Sequence, residues 1–138
     1  MDPELFLDTA YAIALASTTD QFHSSAVQLA IQLRESGSRL ITTRAVMLEI
    51  GNALSKCRYR QSAVKLLSAL EADPHVGIVP LTEDIYAQAF SLYTNRPDKE
   101  WGLVDCISFI VMEERKISAA LTTDEHFVQA GFRALLRD

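Results

Sequence analysis

Six residues near the start, Glu4-Leu5-Phe6-Leu7-Asp8-Thr9, restrict what this chain can fold into more than any other stretch. They form a short apolar run bounded by Pro3 on one side and a carboxylate–hydroxyl pair on the other, the pattern of a buried strand. Side chains that are apolar on both faces belong to a central strand of a parallel sheet. Ala10-Tyr11-Ala12-Ile13-Ala14-Leu15 can then continue as a helix. Asp8 is therefore expected at the carboxyl end of a strand, at a strand-to-helix turn, where open parallel sheets hold their ligands. Asp is also a favoured helix N-cap, and Asp8 alone does not separate the two roles.

Strand and helix patterns alternate along the rest of the chain. From Asp20 to Glu35, Phe22, Ala26, Val27, Leu29, Ala30, Ile31 and Leu33 recur mostly at three- and four-residue steps, which predicts an amphipathic helix. Gly37 is suited to its left-handed stop. Further strands are expected at Arg39–Thr43, Val76–Pro80, Ile117–Leu121 and Phe132–Leu136. Helices are expected from Arg44 to about Lys56, Ser62 to about Ala72, Glu83 to about Tyr93, Leu103 or Val104 to about Arg115, and Glu125 to Ala130. Lys56 to Arg60 reads as a short basic break, and Thr94 to Glu100 as a polar loop. No repeat or low-complexity segment interrupts the pattern, so one domain over residues 1–138 is expected, of α/β class with a mainly parallel sheet.

Four carboxylates fall at related places in this pattern. Asp8 ends the first strand, Glu49 lies early in the helix after the second, Asp105 opens a long apolar helix, and Asp124 follows the fourth strand. Asp105 sits in Leu103-Val104-Asp105-Cys106-Ile107-Ser108-Phe109-Ile110-Val111-Met112, and a helix apolar nearly all round is buried. An ionised carboxylate there is costly unless it is paired or bound to a metal. Clustered acids raise one another's pKa values, and a divalent cation removes that cost. Oxygen ligands without a His/Cys cluster suit Mg²⁺ or Mn²⁺ better than Zn²⁺. Such a site suits phosphodiester hydrolysis, because the ion lowers the pKa of a bound water and offsets charge on the phosphoryl oxygens. Spacing alone leaves the alternative open that these are unrelated caps and surface acids.

The ordered set Phe6-Leu7-Asp8-Thr9, Met47-Leu48-Glu49-Ile50-Gly51-Asn52-Ala53-Leu54, Leu103-Val104-Asp105-Cys106-Ile107-Ser108 and Leu121-Thr122-Thr123-Asp124-Glu125-His126-Phe127 resembles the PIN-domain family. It is most similar to the compact ribonuclease toxins of VapBC-type toxin–antitoxin systems. The resemblance implies a three-layer fold with a five-stranded parallel sheet flanked by helices. It further implies a Mg²⁺- or Mn²⁺-dependent endoribonuclease with Asp8, Glu49, Asp105 and Asp124 as its acidic quartet. Asp8, Asp105 and Glu49 would contact metal most directly, and Asp124 more weakly or through water. An RNA substrate, an antitoxin partner and a homodimer are implied by the same likeness. Val104 departs from the pattern, since many relatives carry Thr or Ser just before the third acid.

Other features bound the function. A net charge of −5 argues against a broad basic surface for nucleic acid and allows a local groove. Lys56, Arg58, Arg60, Arg44 and Arg96 are candidate phosphate contacts, or solvated basic residues. Asp98 could add an acid at the site mouth and Trp101 could stack on a base; a polar turn followed by an anchoring aromatic is the plainer reading. Thr9 and Thr122 can bond a ligating carboxylate or cap a helix, and Asn52 can orient Glu49 or pair with backbone. His23 and His126 look isolated, without an acid–base partner. Cys57 and Cys106 have no metal-type spacing and are expected as reduced, buried or half-buried thiols of a cytoplasmic protein. Neither a signal peptide nor a membrane span is expected. Two other functions fit an α/β domain with these acids. A PIN-like binding module would keep the fold without catalysis, and a flavodoxin-like receiver would need a strand-end Lys that is missing after Leu121.

Overall fold

Phe6 and Leu7 are almost fully buried, which requires a strand in the middle of a sheet. The computed structural model, which describes residues 4–137, places them there. Its strands are β1 (Leu5–Leu7), β2 (Leu40–Thr43), β3 (Val76–Val79), β4 (Ala119–Leu121) and β5 (Arg133–Ala134). They lie in the order β3-β2-β1-β4-β5, with every pairing parallel. Phe6 is in register with Ile41 on one side and Ala120 on the other. Pro3, the expected boundary of β1, lies outside the described residues.

Among the described residues seven α-helices connect the strands: α1 (Thr9–Ala16), α2 (His23–Ser36), α3 (Arg44–Ala53), α4 (Cys57–Ala72), α5 (Glu83–Asn95), α6 (Leu103–Arg115) and α7 (Glu125–Gln129). From β1 through β2 to β3 the chain steps one way across the sheet, and from β3 to β4 and β5 it steps back the other way. Right-handed crossovers of opposite direction put α1 to α4 on one face and α5 to α7 on the other. The result is the expected three-layer, five-stranded parallel α/β fold. The direction changes between neighbouring β1 and β4, which makes their carboxyl ends the switch-point crevice of the sheet. Contacts between α3 and α6 bring the two helical layers together.

Behind that crevice the core is aromatic. Phe109 meets Phe127 and Trp101 edge-on, at ring-centroid distances of 5.0 and 5.1 Å. Phe6 and Phe132 complete the cluster at 6.2 Å from Phe127 and 5.7 Å from Phe109. It joins β1, α6, α7 and the entry to β5. On the outer side of α5, by contrast, Tyr86, Phe90 and Tyr93 stack in a row at 6.2 and 6.4 Å, while Ile85 and Ala89 of the same helix are buried. These three aromatics are 42–49% exposed and form an aromatic stripe on the surface. Among the described residues no helix is long and apolar enough to cross a membrane.

The structure shifts several expected boundaries. The break expected at Lys56–Arg60 falls earlier, at residues 54–56, because α3 ends at Ala53 and α4 already begins at Cys57. Arg and Lys are good helix formers, and their charges stay on the solvent side. Cys57 is consequently exposed rather than half-buried, while Cys106 is buried; both are free. The helix expected from Asp20 begins at His23, since the Asp20 carboxylate accepts from the Phe22 N–H and holds a turn there. The strand expected at Phe132–Leu136 is confined to Arg133–Ala134 and passes into a 3₁₀ turn, Leu135–Arg137. That turn forms because the Leu136 N–H donates to the Thr122 carbonyl beyond the end of β4.

Phe127 has no exposed surface and touches two other rings. Phe127→Ala is expected to lower stability by about 3–5 kcal/mol. Phe127→Leu, which keeps much of the volume, should cost clearly less. Urea unfolding of the two variants against the parent checks both values.

Candidate active site

Asp8 follows β1 directly, and its N–H extends the pairing with β4 by donating to the Leu121 carbonyl at 3.3 Å. It holds the N-cap position of α1, yet its side chain makes no capping bond. The carboxylate turns instead into the crevice, where Oδ2 accepts the Thr122 hydroxyl at 2.7 Å. Asp8 is only 5% exposed. Burial drives its pKa up to about 7, against the opposing hydrogen bonds from Thr122 and the Thr9 N–H. The charges of Asp105 and Glu49 push in the same direction as burial, so all three acids share one electrostatic neighbourhood.

Asp105 lies in the first turn of α6, and Asp124 is the N-cap of α7. Asp105 Oδ2 accepts from the Gly102 N–H at 3.1 Å and lies 2.9 Å from His126 Nδ1. Asp124 Oδ1 accepts from the His126 N–H at 2.9 Å and lies 3.4 Å from the same ring nitrogen. Burial raises the Asp105 pKa, the His126 and Gly102 hydrogen bonds oppose it, and the Asp124 charge adds to it. At His126, burial disfavours the imidazolium, but the Asp105 hydrogen bond and the charges of Asp124, Asp105 and Glu125 outweigh it and raise the pKa. Ligand atoms from Asp105, Asp124 and His126 all lie within 4.8 Å of one another.

His126 thus differs from the isolated residue that sequence reading expects. One signal for it is the Asp124-x-His126 spacing at the start of a helix. The N-cap and the second helical residue share the first turn, so both side chains can face one opening. His23 is a plain structural residue, with Nδ1 at 2.8 Å from the Ala14 carbonyl of α1.

Glu49 is half-buried on α3 and accepts a short hydrogen bond from the Thr9 hydroxyl. Thr9 and Thr122 therefore each hold a carboxylate. Asn52 is exposed, and its carbonyl accepts from the Ser55 hydroxyl. Asp98 is exposed and forms a two-point ion pair with Arg96, at 3.0 Å for each bond. Trp101 is 6% exposed, donates from Nε1 to Gln129 Oε1 at 3.0 Å and packs on Phe109, so it anchors the loop rather than waiting for a base. Arg44 pairs with Glu71, Arg60 donates to the Ser55 carbonyl, and Arg58 lies over the Tyr59 ring. Beside His126 opens a polar cleft of about 290 Å³ lined by Asp98, Lys99, Glu100, Glu125, His126 and Gln129. A more apolar cavity of similar volume lies between α1, α2 and α4, and none of the four acids lines it.

The donor set fits a divalent cation. Three carboxylates interact electrostatically, one is deeply buried, and among the described residues the one side-chain nitrogen bonded to them is that of His126. Asp8 also makes stability depend on pH. Its folded pKa of about 7 lies above the ordinary 3.8, so between these values the folded state holds more protons than the unfolded state. This contribution is full at the acid end and is lost as pH rises towards 7. Asp8→Asn is expected to be more stable than the parent at pH 7.5 in chelator, by on the order of 1–3 kcal/mol. The gain should vanish towards pH 4, and thermal unfolding across that range measures it.

Comparison with known proteins agrees with this fold. A 23S rRNA-specific endonuclease, VapC20 of Mycobacterium tuberculosis strain H37Rv, is 28% identical over 129 residues, covering 93% of this chain and 95% of that protein. The crystal structure of M. tuberculosis VapC20, described as a sarcin–ricin loop cleaving toxin, superimposes with a TM-score of 0.81 at 27% identity, over 93% of this chain and 95% of the other. VapBC2 from Rickettsia felis bound to a promoter DNA fragment (TM-score 0.70, 12% identity, coverage 95% and 96%) shares the fold. FitAcB from Neisseria gonorrhoeae does so as well (TM-score 0.65, 19% identity, 94% of each chain). The PIN domain family model matches residues 5–133, from the first residue of β1 to the first of β5, and the chain belongs to the PIN domain family.

Proposed function

We propose that this protein is a Mg²⁺- or Mn²⁺-dependent endoribonuclease and the toxin of a toxin–antitoxin pair. The observation that carries the reading is the convergence of Asp8, Asp105 and Asp124 at the switch point between β1 and β4, with Asp8 buried. Glu49 joins them through Thr9 and through its charge on Asp8. A divalent cation in this pocket supplies the positive charge that activates water and offsets charge growing on the phosphoryl oxygens.

The chain's own groups set the geometry. Thr122 and Thr9 fix the orientation of Asp8 and Glu49. Gly102 and His126 fix the Asp105 carboxylate through its Oδ2. The α7 N-terminus fixes the Asp124 carboxylate through its Oδ1. Lys99 borders the adjoining cleft and is placed to meet an RNA phosphate. Net charge −5 favours recognition through this small groove over a wide basic face. The relation to a 23S rRNA-specific endonuclease makes ribosomal RNA the first substrate to test. An antitoxin that covers the acidic pocket, a homodimer, a cytoplasmic setting and a single domain over the whole chain belong to the same proposal. The exposed aromatic row on α5 supports association of copies.

The test is cleavage of 23S rRNA and of a mixed RNA pool with Mg²⁺, Mn²⁺ or EDTA, beside Asp8→Asn and Asp105→Asn. Cutting should require the ion. Both variants should fall by more than the roughly 10–100-fold typical of losing an outer-shell metal partner. Asp8→Asn is expected to remain folded, so its loss would not be one of stability. Cutting that survives both substitutions would overturn the site. Absence of cutting together with absence of Mn²⁺ binding would favour a non-catalytic binding module.

A further inference from the structure

We infer that His126 is a nitrogen ligand of the metal site and that it makes the site prefer Mn²⁺ to Mg²⁺. The inference rests on the metal-site reading above and adds a residue outside the acidic quartet. His126 Nδ1 lies 2.9 Å from Asp105 Oδ2 and 3.4 Å from Asp124 Oδ1. For ion–oxygen distances of about 2.1 Å, neighbouring ligand atoms of an octahedron are about 3.0 Å apart. The imidazole nitrogen is therefore spaced from each carboxylate about as adjacent ligands of one small ion would be, and the three ligand atoms lie within 4.8 Å of one another. In that arrangement the ion takes the place of the proton now shared between Nδ1 and the carboxylate.

The backbone holds the ring in that place. The His126 N–H is tied to the Asp124 side chain, which fixes the first turn of α7. The next residue, Phe127, is buried among aromatic rings, so α7 cannot rotate without opening the core. Gln129, one turn on, accepts from Trp101. The His126 side chain is 25% exposed, and its ring also borders the polar cleft, which leaves an open approach. Mg²⁺ favours oxygen ligands and releases water reluctantly, whereas first-row transition ions gain more from an imidazole. Mn²⁺ is the weakest binder of that series, but its unpaired electrons report directly on a bound nitrogen.

Pulsed EPR of the Mn²⁺-loaded protein tests the assignment, with ¹⁵N-histidine labelling and with His126→Gln. The parent should show a histidine nitrogen coupled to Mn²⁺, and His126→Gln should lose it. Titration should show Mn²⁺ affinity falling by about tenfold or more in the variant, and Mg²⁺ affinity, read by competition, falling much less. Absence of a coupled histidine nitrogen in the parent would overturn the inference. So would an equal loss for both ions, which would make His126 a positioning residue acting through Asp105. Mn²⁺ bound without a coupled nitrogen, with RNA still cut, would leave the nuclease reading standing and remove only this one. Failure of the parent to bind Mn²⁺ at all would remove both.

Discussion

The hydroxyl of Thr122 ties the site to the sheet. It donates to Asp8 Oδ2 at 2.7 Å and accepts the Asp124 N–H at 3.0 Å. A hydroxyl has one proton to give, so both directions are fixed: Asp8 is the acceptor, and the chain leaving β4 must turn towards it. Thr122 has no exposed surface, and a buried polar group left unpaired there would cost about 1–3 kcal/mol. Holding Asp8 and the α7 N-terminus in one frame thus also satisfies the hydroxyl.

Other threonines repeat this device. Thr42 donates to the Leu7 carbonyl from β2, and Thr43 accepts from Val46 to cap α3, the helix that bears Glu49. Thr9 reaches across to Glu49 itself. A β-branched side chain suits the pleat of a strand, and its hydroxyl suits the turn that follows. One residue type can therefore end a strand, start a helix and hold a carboxylate. Asp8, Asp105 and Asp124 are carried on element ends and Glu49 within α3, so that regular elements hold the acids.

Much of this was legible in the sequence. The apolar runs marked β1 to β4 closely and β5 only in part, because a parallel strand inside the sheet leaves a continuous hydrophobic signature that the two-residue edge strand lacks. Asp105 stood out for a similar reason, as a charge inside an apolar helix. Its neighbours Asp8 and Glu49 could be picked by position, and the structure brings them into electrostatic contact. Helix ends read less well. The start of α4 was hidden because charged residues fit a helix surface as readily as a turn. His126 escaped because its partners come from two places: Asp124 is close in sequence, but Asp105 is 21 residues away and meets it only through the packing of α6 against α7. Trp101 was ambiguous for a related reason, since its hydrogen-bond partner Gln129 lies on another element.

Asp8 has a consequence outside chemistry. A fold that buries a carboxylate for an ion to neutralise is less stable while that ion is scarce. A ligand that binds only the folded state adds RT ln(1 + [L]/Kd), about 2.7 kcal/mol at a hundred times Kd. Cellular proteases act on the unfolded fraction, so a change of that size alters how long a chain survives. On this reading the free ion pool governs two things at once: how fast the protein cuts, and how much of it remains in the cell.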